Sequence, residues 1–168
     1  MITLKAGKIS LPKNFIVPEN CKVGDFYFSI LEPSITEIDY KVVMSSRKRL
    51  RQIFRRDDTW PAEGMTLDEN TKDLIRHETE FKRKKAFAYS VYPAEKNDYI
   101  GCIYINPTKK SYDCEVYLWV SDNSFHMDNV LFRQTKKWLD EVWGFSHAAF
   151  PGREISWDEW QVDNEKFD

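Results

Sequence analysis

Apolar and polar positions change their period several times along the chain. The stretch "FYFSILEP", residues 26–33, alternates Phe26, Phe28 and Ile30 against Tyr27, Ser29 and Leu31 before Pro33, which predicts a strand buried on both faces of a sheet. From Ser34 the period lengthens, and Ile35, Ile38, Val42, Leu50 and Ile53 fall near one side of a helix. After the loop "DDTWPAEG", Thr66 and Glu69 have the spacing of a capping box. Leu67, Leu74 and Phe81 then mark the apolar side of a second helix running to about Lys84. Aromatic strands follow at 86–93, 99–107 and 114–122, joined by polar turns of hairpin length, and together they predict an antiparallel meander. A third helix, 127–143, carries Met127, Leu131, Gln134, Trp138 and Val142 on one face, with Gly144 to end it. A short strand is expected in "SHAAFPG", followed by an acidic tail over 151–168. The first 25 residues are expected to form an irregular lead-in with one strand around 9–17.

This order predicts an α/β (α+β) chain: a mixed, mostly antiparallel central sheet with helices on both faces, a three-layer sandwich. The 168 residues suit a single domain, and their 42% hydrophobic content is enough for its core. A formal net charge of -2 gives no global reason to bind nucleic acid or an acidic membrane. The basic runs "SRKRLRQIFRR" and "KRKK" are interleaved with apolar residues at helical spacing, so a solvated helix face is the expectation. No apolar run approaches the roughly 20 residues that cross a bilayer, and the amino terminus lacks a secretory core, so a cytoplasmic protein is expected. Cys21, Cys102 and Cys114 are odd in number with no CxxC pair. That indicates neither a disulfide framework nor a zinc site; Cys102 and Cys114 could face each other across a hairpin, but two reduced, buried thiols are the expectation. His77 has no second histidine to complete HExxH, and no metal set is expected.

The element order, the glycine entering a hairpin strand in "YIGCIYI", and "CEVYLWV" feeding a helix after a short turn together resemble the GNAT superfamily of N-acetyltransferases over about residues 26–150. The resemblance implies transfer of an acetyl group from acetyl-CoA to an amine by direct attack. It also implies that strand 115–121 splays from a neighbour around 147–150 and pairs backbone groups of Val120 and Ser121 with the pantetheine arm. The turn of Asn123, Ser124, Phe125, His126 and Met127 would meet the pyrophosphate at a helix N-terminus. Glu115 would be the general base. Tyr117 and Trp119, which alternate with it on one face, and Trp60 in the loop between the first two helices would bind the substrate.

Two departures from the family pattern stand in the sequence. The family writes its turn as Gln/Arg-x-x-Gly-x-Gly/Ala, whereas no glycine lies between Val120 and Val130, and Asp122 and Asp128 flank the segment. An ordinary N-cap by Ser124 or Asn123 competes with a phosphate cradle. The family's carboxyl-terminal strands, which often supply a tyrosine acid, are also missing, and no tyrosine follows Tyr117. Two functions therefore stand side by side. One is an N-acyltransferase using acetyl-CoA on a small-molecule amine; the other is a non-catalytic GNAT-fold binding or interaction module that has lost acetyl-CoA. Neither nucleic acid nor membrane is the expected partner, and a homodimer is left open.

Overall fold

In the computed structural model, which describes residues 7–165, five strands form one antiparallel sheet in chain order: β1 Asn20–Val23, β2 Phe26–Ile30, β3 Phe87–Pro93, β4 Gly101–Asn106 and β5 Glu115–Val120. Helices α1 Thr36–Ser45, α2 Arg47–Leu50 and α3 Leu67–Lys82 lie between β2 and β3. Helix α4, Asp128–Trp143, follows β5, and α5, Trp157–Glu165, comes last. The strand alternation sends Phe26, Phe28, Val91, Ile103 and Leu118 into one core with Leu131, Trp138, Leu139 and Trp143 of α4. The opposite face packs Cys102, Tyr104, Tyr117 and Trp119 against Val43, Leu50, Phe54 and Leu74. Helices on both faces of an antiparallel sheet give the expected three-layer sandwich. The parallel component is confined to a bridge between Glu115 and Ala149, with a second bridge joining Pro151 to Ile155.

The structure moves several expected features. The lead-in strand is β1, hydrogen-bonded to β2 around Gly24, and not residues 9–17. Ile9, Leu11 and Phe15 pack on the core without joining the sheet. β2 is not buried on both faces, because beside the edge strand Tyr27 is 46% exposed while Phe26 and Phe28 are fully buried. The first long helix is broken at Ser46, whose backbone leaves helical geometry at φ -109° and ψ 9°. Its apolar face is also turned by one residue: Val43 and Asp39 point inward and Ile38 outward. On α4 the same shift exposes Val142 and buries Thr135, Leu139 and Trp143. The strand expected after α4 shrinks to bridges, and part of the supposed tail folds as α5.

The capping box forms as expected: Glu69 N donates to Thr66 Oγ1 at 3.2 Å, and Thr66 N donates to Glu69 Oε2 at 2.7 Å. Gly144 ends α4 at φ 72°. Cys102 and Cys114 are free and buried, one in each core, so they do not face each other across the hairpin. Gly101 is required for packing. A Cβ there would lie 2.0 Å from the carbonyl oxygen of Trp119 on the paired strand. Gly101→Ala should therefore destabilise the protein by on the order of 3 kcal/mol, read as a drop in denaturant midpoint with an unchanged m-value.

Candidate functional site at the open edge of β5

β5 has a neighbour along its whole length on one side only. On the β4 side the ladder runs from Glu115 opposite Asn106 to Val120 opposite Gly101. On the other side, Val116 N donates to Ala149 O at 2.8 Å and Ala149 N to Cys114 O at 2.9 Å. Beyond Val116 the two segments part. A cavity of about 140 Å³ opens there, between Tyr117 and Leu118, Gln52 and Ile53 after α2, and Arg153 and Trp157. Gly152, at φ 79°, lets the backbone turn beneath the Trp157 ring, which a Cβ would approach within 2.8 Å.

Two guanidinium groups take up the backbone acceptors that the parting leaves. Arg153 Nη2 donates to Leu118 O at 3.1 Å, and the same fork holds Asp128 through Nη1–Oδ2 at 2.7 Å and Nη2–Oδ1 at 2.9 Å. Arg49 donates through Nη2 to Val120 O and through Nε to Asp122 Oδ1 at 2.7 Å. Asp122 and Asp128, which looked like obstacles to an anion, are thus neutralised by arginines. The Arg153 pair is the more sheltered, with side chains 23% and 14% exposed, and it is bidentate, the geometry in which such pairs are strongest. Neither arginine belonged to the expected site. The signal that could have found them is the pair of carboxylates at a helix start, which calls for cations from elsewhere in the fold.

The glycine-free turn is a 3-10 helix, Asp122–Met127, and none of its residues takes positive φ. Two of its amides, and that of Asp128 after it, have named partners. Asp122 N donates to Ser46 Oγ at 2.9 Å, Ser124 N to Ser121 O at 3.0 Å, and Asp128 N to Phe125 O. Ser121 N turns toward β4 and donates to Ile100 O at 2.7 Å. No side chain caps the turn or α4, so the N-cap expected of Ser124 or Asn123 does not form. Phe125 is exposed beneath the Arg49 guanidinium at 4.8 Å, Asn123 and His126 face solvent, and Met127 is half-buried against the α4 core.

Of the residues expected to act, Glu115 and Tyr117 stay together: the Tyr117 hydroxyl donates to Glu115 Oε1 at 2.9 Å. Tyr117 lines the cavity; Glu115 is buried behind it. Burial, then the neighbouring Glu115, pushes the Tyr117 hydroxyl well above the usual tyrosine range, so it stays protonated. Trp119 is fully buried and donates from Nε1 to Tyr104 at 3.0 Å, which takes it out of reach of a ligand. Trp60 lies across Phe54, whose ring stands 5.3 Å from Trp60 and 5.5 Å from Tyr117. It lines a separate cavity of about 20 Å³, room for a water molecule, with Asp39, Asn70, His77 and Tyr104. The expected solvated basic face is also altered. Arg47 and Arg51 pair with Glu63, and Arg56 pairs with Asp158. Among the described residues no group of His, Cys, Asp and Glu could hold a metal ion. Among the same residues no helix is long and apolar enough to cross a membrane.

A five-stranded antiparallel sheet between helical layers, whose last strand parts from the segment after the next helix, is the GNAT acetyltransferase fold, and this chain has it. Among solved structures, RimL, the ribosomal L7/L12 alpha-N-protein acetyltransferase in complex with coenzyme A, aligns with a TM-score of 0.57 at 16% identity, covering 72% of this chain and 67% of that one. The ribosomal-protein-S5-alanine acetyltransferase from Vibrio fischeri aligns at 0.56 and 13% identity, over 75% and 69%. The microcin C7 self immunity acetyltransferase MccE, in complex with acetyl-CoA and AMP, aligns at 0.56 and 14%, over 75% and 70%. No family model and no curated protein matches the sequence.

The small cavity carries a pH signature. Asp39, 3% exposed, accepts from Tyr99 and, at 2.8 Å, from Asn70 Nδ2. Burial pushes its carboxyl up to about 6, against the opposing effect of those two hydrogen bonds. Between roughly pH 3.9, its unfolded value, and pH 6 the native chain binds more protons at this group than the unfolded chain does, so stability falls as pH rises through that window. Relative to Asp39→Asn, the wild-type protein should lose about 2–3 kcal/mol of unfolding free energy between pH 4 and 7, measured by urea titration.

Proposed function

We propose that this protein is a GNAT-type acyltransferase that moves an acetyl group from acetyl-CoA to an amine, with the chemistry at the cavity beside β5. The observation that carries this reading is the Tyr117–Glu115 pair, buried near the point where β5 parts from residues 149–153, with Tyr117 among the residues that line the cavity. An amine must lose a proton as it attacks. The Tyr117 hydroxyl takes that proton while passing its own to Glu115, so the carboxylate acts as general base through the phenol. The same phenol, held protonated by its surroundings, can return a proton to the departing thiolate. This serves the role for which no tyrosine follows in the chain. Trp157 and Ile53 shield the step from water.

In this reading the donor's arm lies along Leu118, Val120 and Ser121, and its phosphates lie near the turn from Asn123 to Met127, where they meet side chains more than backbone. The solved neighbours bear names that cover protein N-termini and small molecules alike, so the acceptor class is best found by trial. Thiol release from acetyl-CoA should be followed with a polyamine, with free amino acids and with a peptide bearing a free N-terminus. Glu115→Gln and Tyr117→Phe should each lower kcat by about a hundredfold or more and leave the acetyl-CoA Kd within about twofold. Unaltered kcat in both variants would remove the pair from the mechanism. Absence of acetyl-CoA binding by calorimetry at millimolar ligand would sink the function itself.

A further inference from the structure

The parting of β5 from residues 149–153 leaves a row of backbone acceptors on a strand edge, and such an edge takes either another strand or an extended ligand with amide N–H groups. Here it takes an arginine side chain. The Arg153 guanidinium lies against Leu118 O, its position fixed by two hydrogen bonds to Asp128 at the first turn of α4 and by the Phe132 ring 5.6 Å away. It also forms part of the wall of the 140 Å³ cavity. The N–H groups of an extended amide arm would compete with Arg153 for the same carbonyl.

We infer that Arg153 is a displaceable latch on the β5 edge, holding the place of the donor's amide arm, and that a donor binds only by driving its guanidinium off Leu118 O. This rests on the proposed function, because it assumes that the donor lies along β5. It makes Arg153 a residue that sets donor affinity by competition, opposite in sign to an arginine that grips phosphate.

The test is the sign of the effect. Removing Arg153 alone would strand Asp128 beside an anionic ligand, so the variant to use is Arg153→Met with Asp128→Asn, which keeps the apolar stem over Phe132 and leaves no bare charge. Pantetheine and ADP serve as separate probes of the arm and of the diphosphate, alongside whole CoA. The double variant should bind pantetheine and CoA about tenfold more tightly than wild type, with ADP binding unchanged within about twofold. Equal or weaker pantetheine binding overturns the latch, as does a gain confined to ADP, which would be an effect of charge. Wild-type binding of CoA in either of those cases leaves the proposed function standing, whereas absence of CoA binding in both proteins overturns both. A readout on the unaltered protein guards against misfolding of the variant: saturating pantetheine should move the Arg153 side-chain N–H resonances, and resonances that stay fixed while ligand binds overturn the latch.

Discussion

A strand that loses its neighbour halfway along must hand its backbone oxygens to something, and the end of β5 is organised around that requirement. At its start Val116 N donates to Ala149 O, and Ala149 N donates to Cys114 O just before the strand. Its last residues have only side chains to turn to, and arginine, with several donors in a rigid fork, can hold a carbonyl and a carboxylate at once. Two arginines from distant parts of the chain do so, and each brings one of the turn's carboxylates with it. The acidic turn, the 3-10 geometry and the placing of the segment after α4 are linked consequences of one unpaired edge.

That arrangement explains why the turn manages without glycine. A glycine is needed where backbone must approach a ligand closely or adopt positive φ. None of residues 122–127 takes positive φ; the turn has 3-10 geometry, and its first amide reaches a serine hydroxyl. The polar contacts at this end of the molecule thereby pass from main chain to side chain. Main-chain donors are fixed in place, whereas guanidinium groups can change partners, and a site built from them depends on the competition among acceptors around it.

Local signals carried most of the architecture. The meander strands, the Thr66–Glu69 box and the glycine stop of α4 all depend on residues close in sequence, and all were legible. The phase of α1 was not. A pattern that sends aspartate outward puts Ile38 inside, whereas Tyr99 and Asn70, far along the chain, supply the hydrogen bonds that let Asp39 be buried. The site divided in the same way. Glu115 and Tyr117 are two residues apart on one strand, so their shared face is legible from alternation. Arg49 and Arg153 meet β5 across 71 and 35 positions of sequence, and each stands in a stretch whose composition suggests an ordinary surface. Trp119 was misjudged because alternation shows which face a residue takes and not how deeply that face is covered.

Ser46 joins the two halves of this molecule. Its backbone interrupts the helix, and its hydroxyl accepts the amide of Asp122 at the start of the turn. Arg49, one helical turn further on, holds the carboxylate of that same aspartate. The layer over one face of the sheet is therefore pinned to the hinge between β5 and the layer over the other. A molecule settling among α1 and α2 and a molecule settling against the turn would press on a common joint. Whatever change the first makes in the affinity for the second, the second must make, by the same factor, in the affinity for the first.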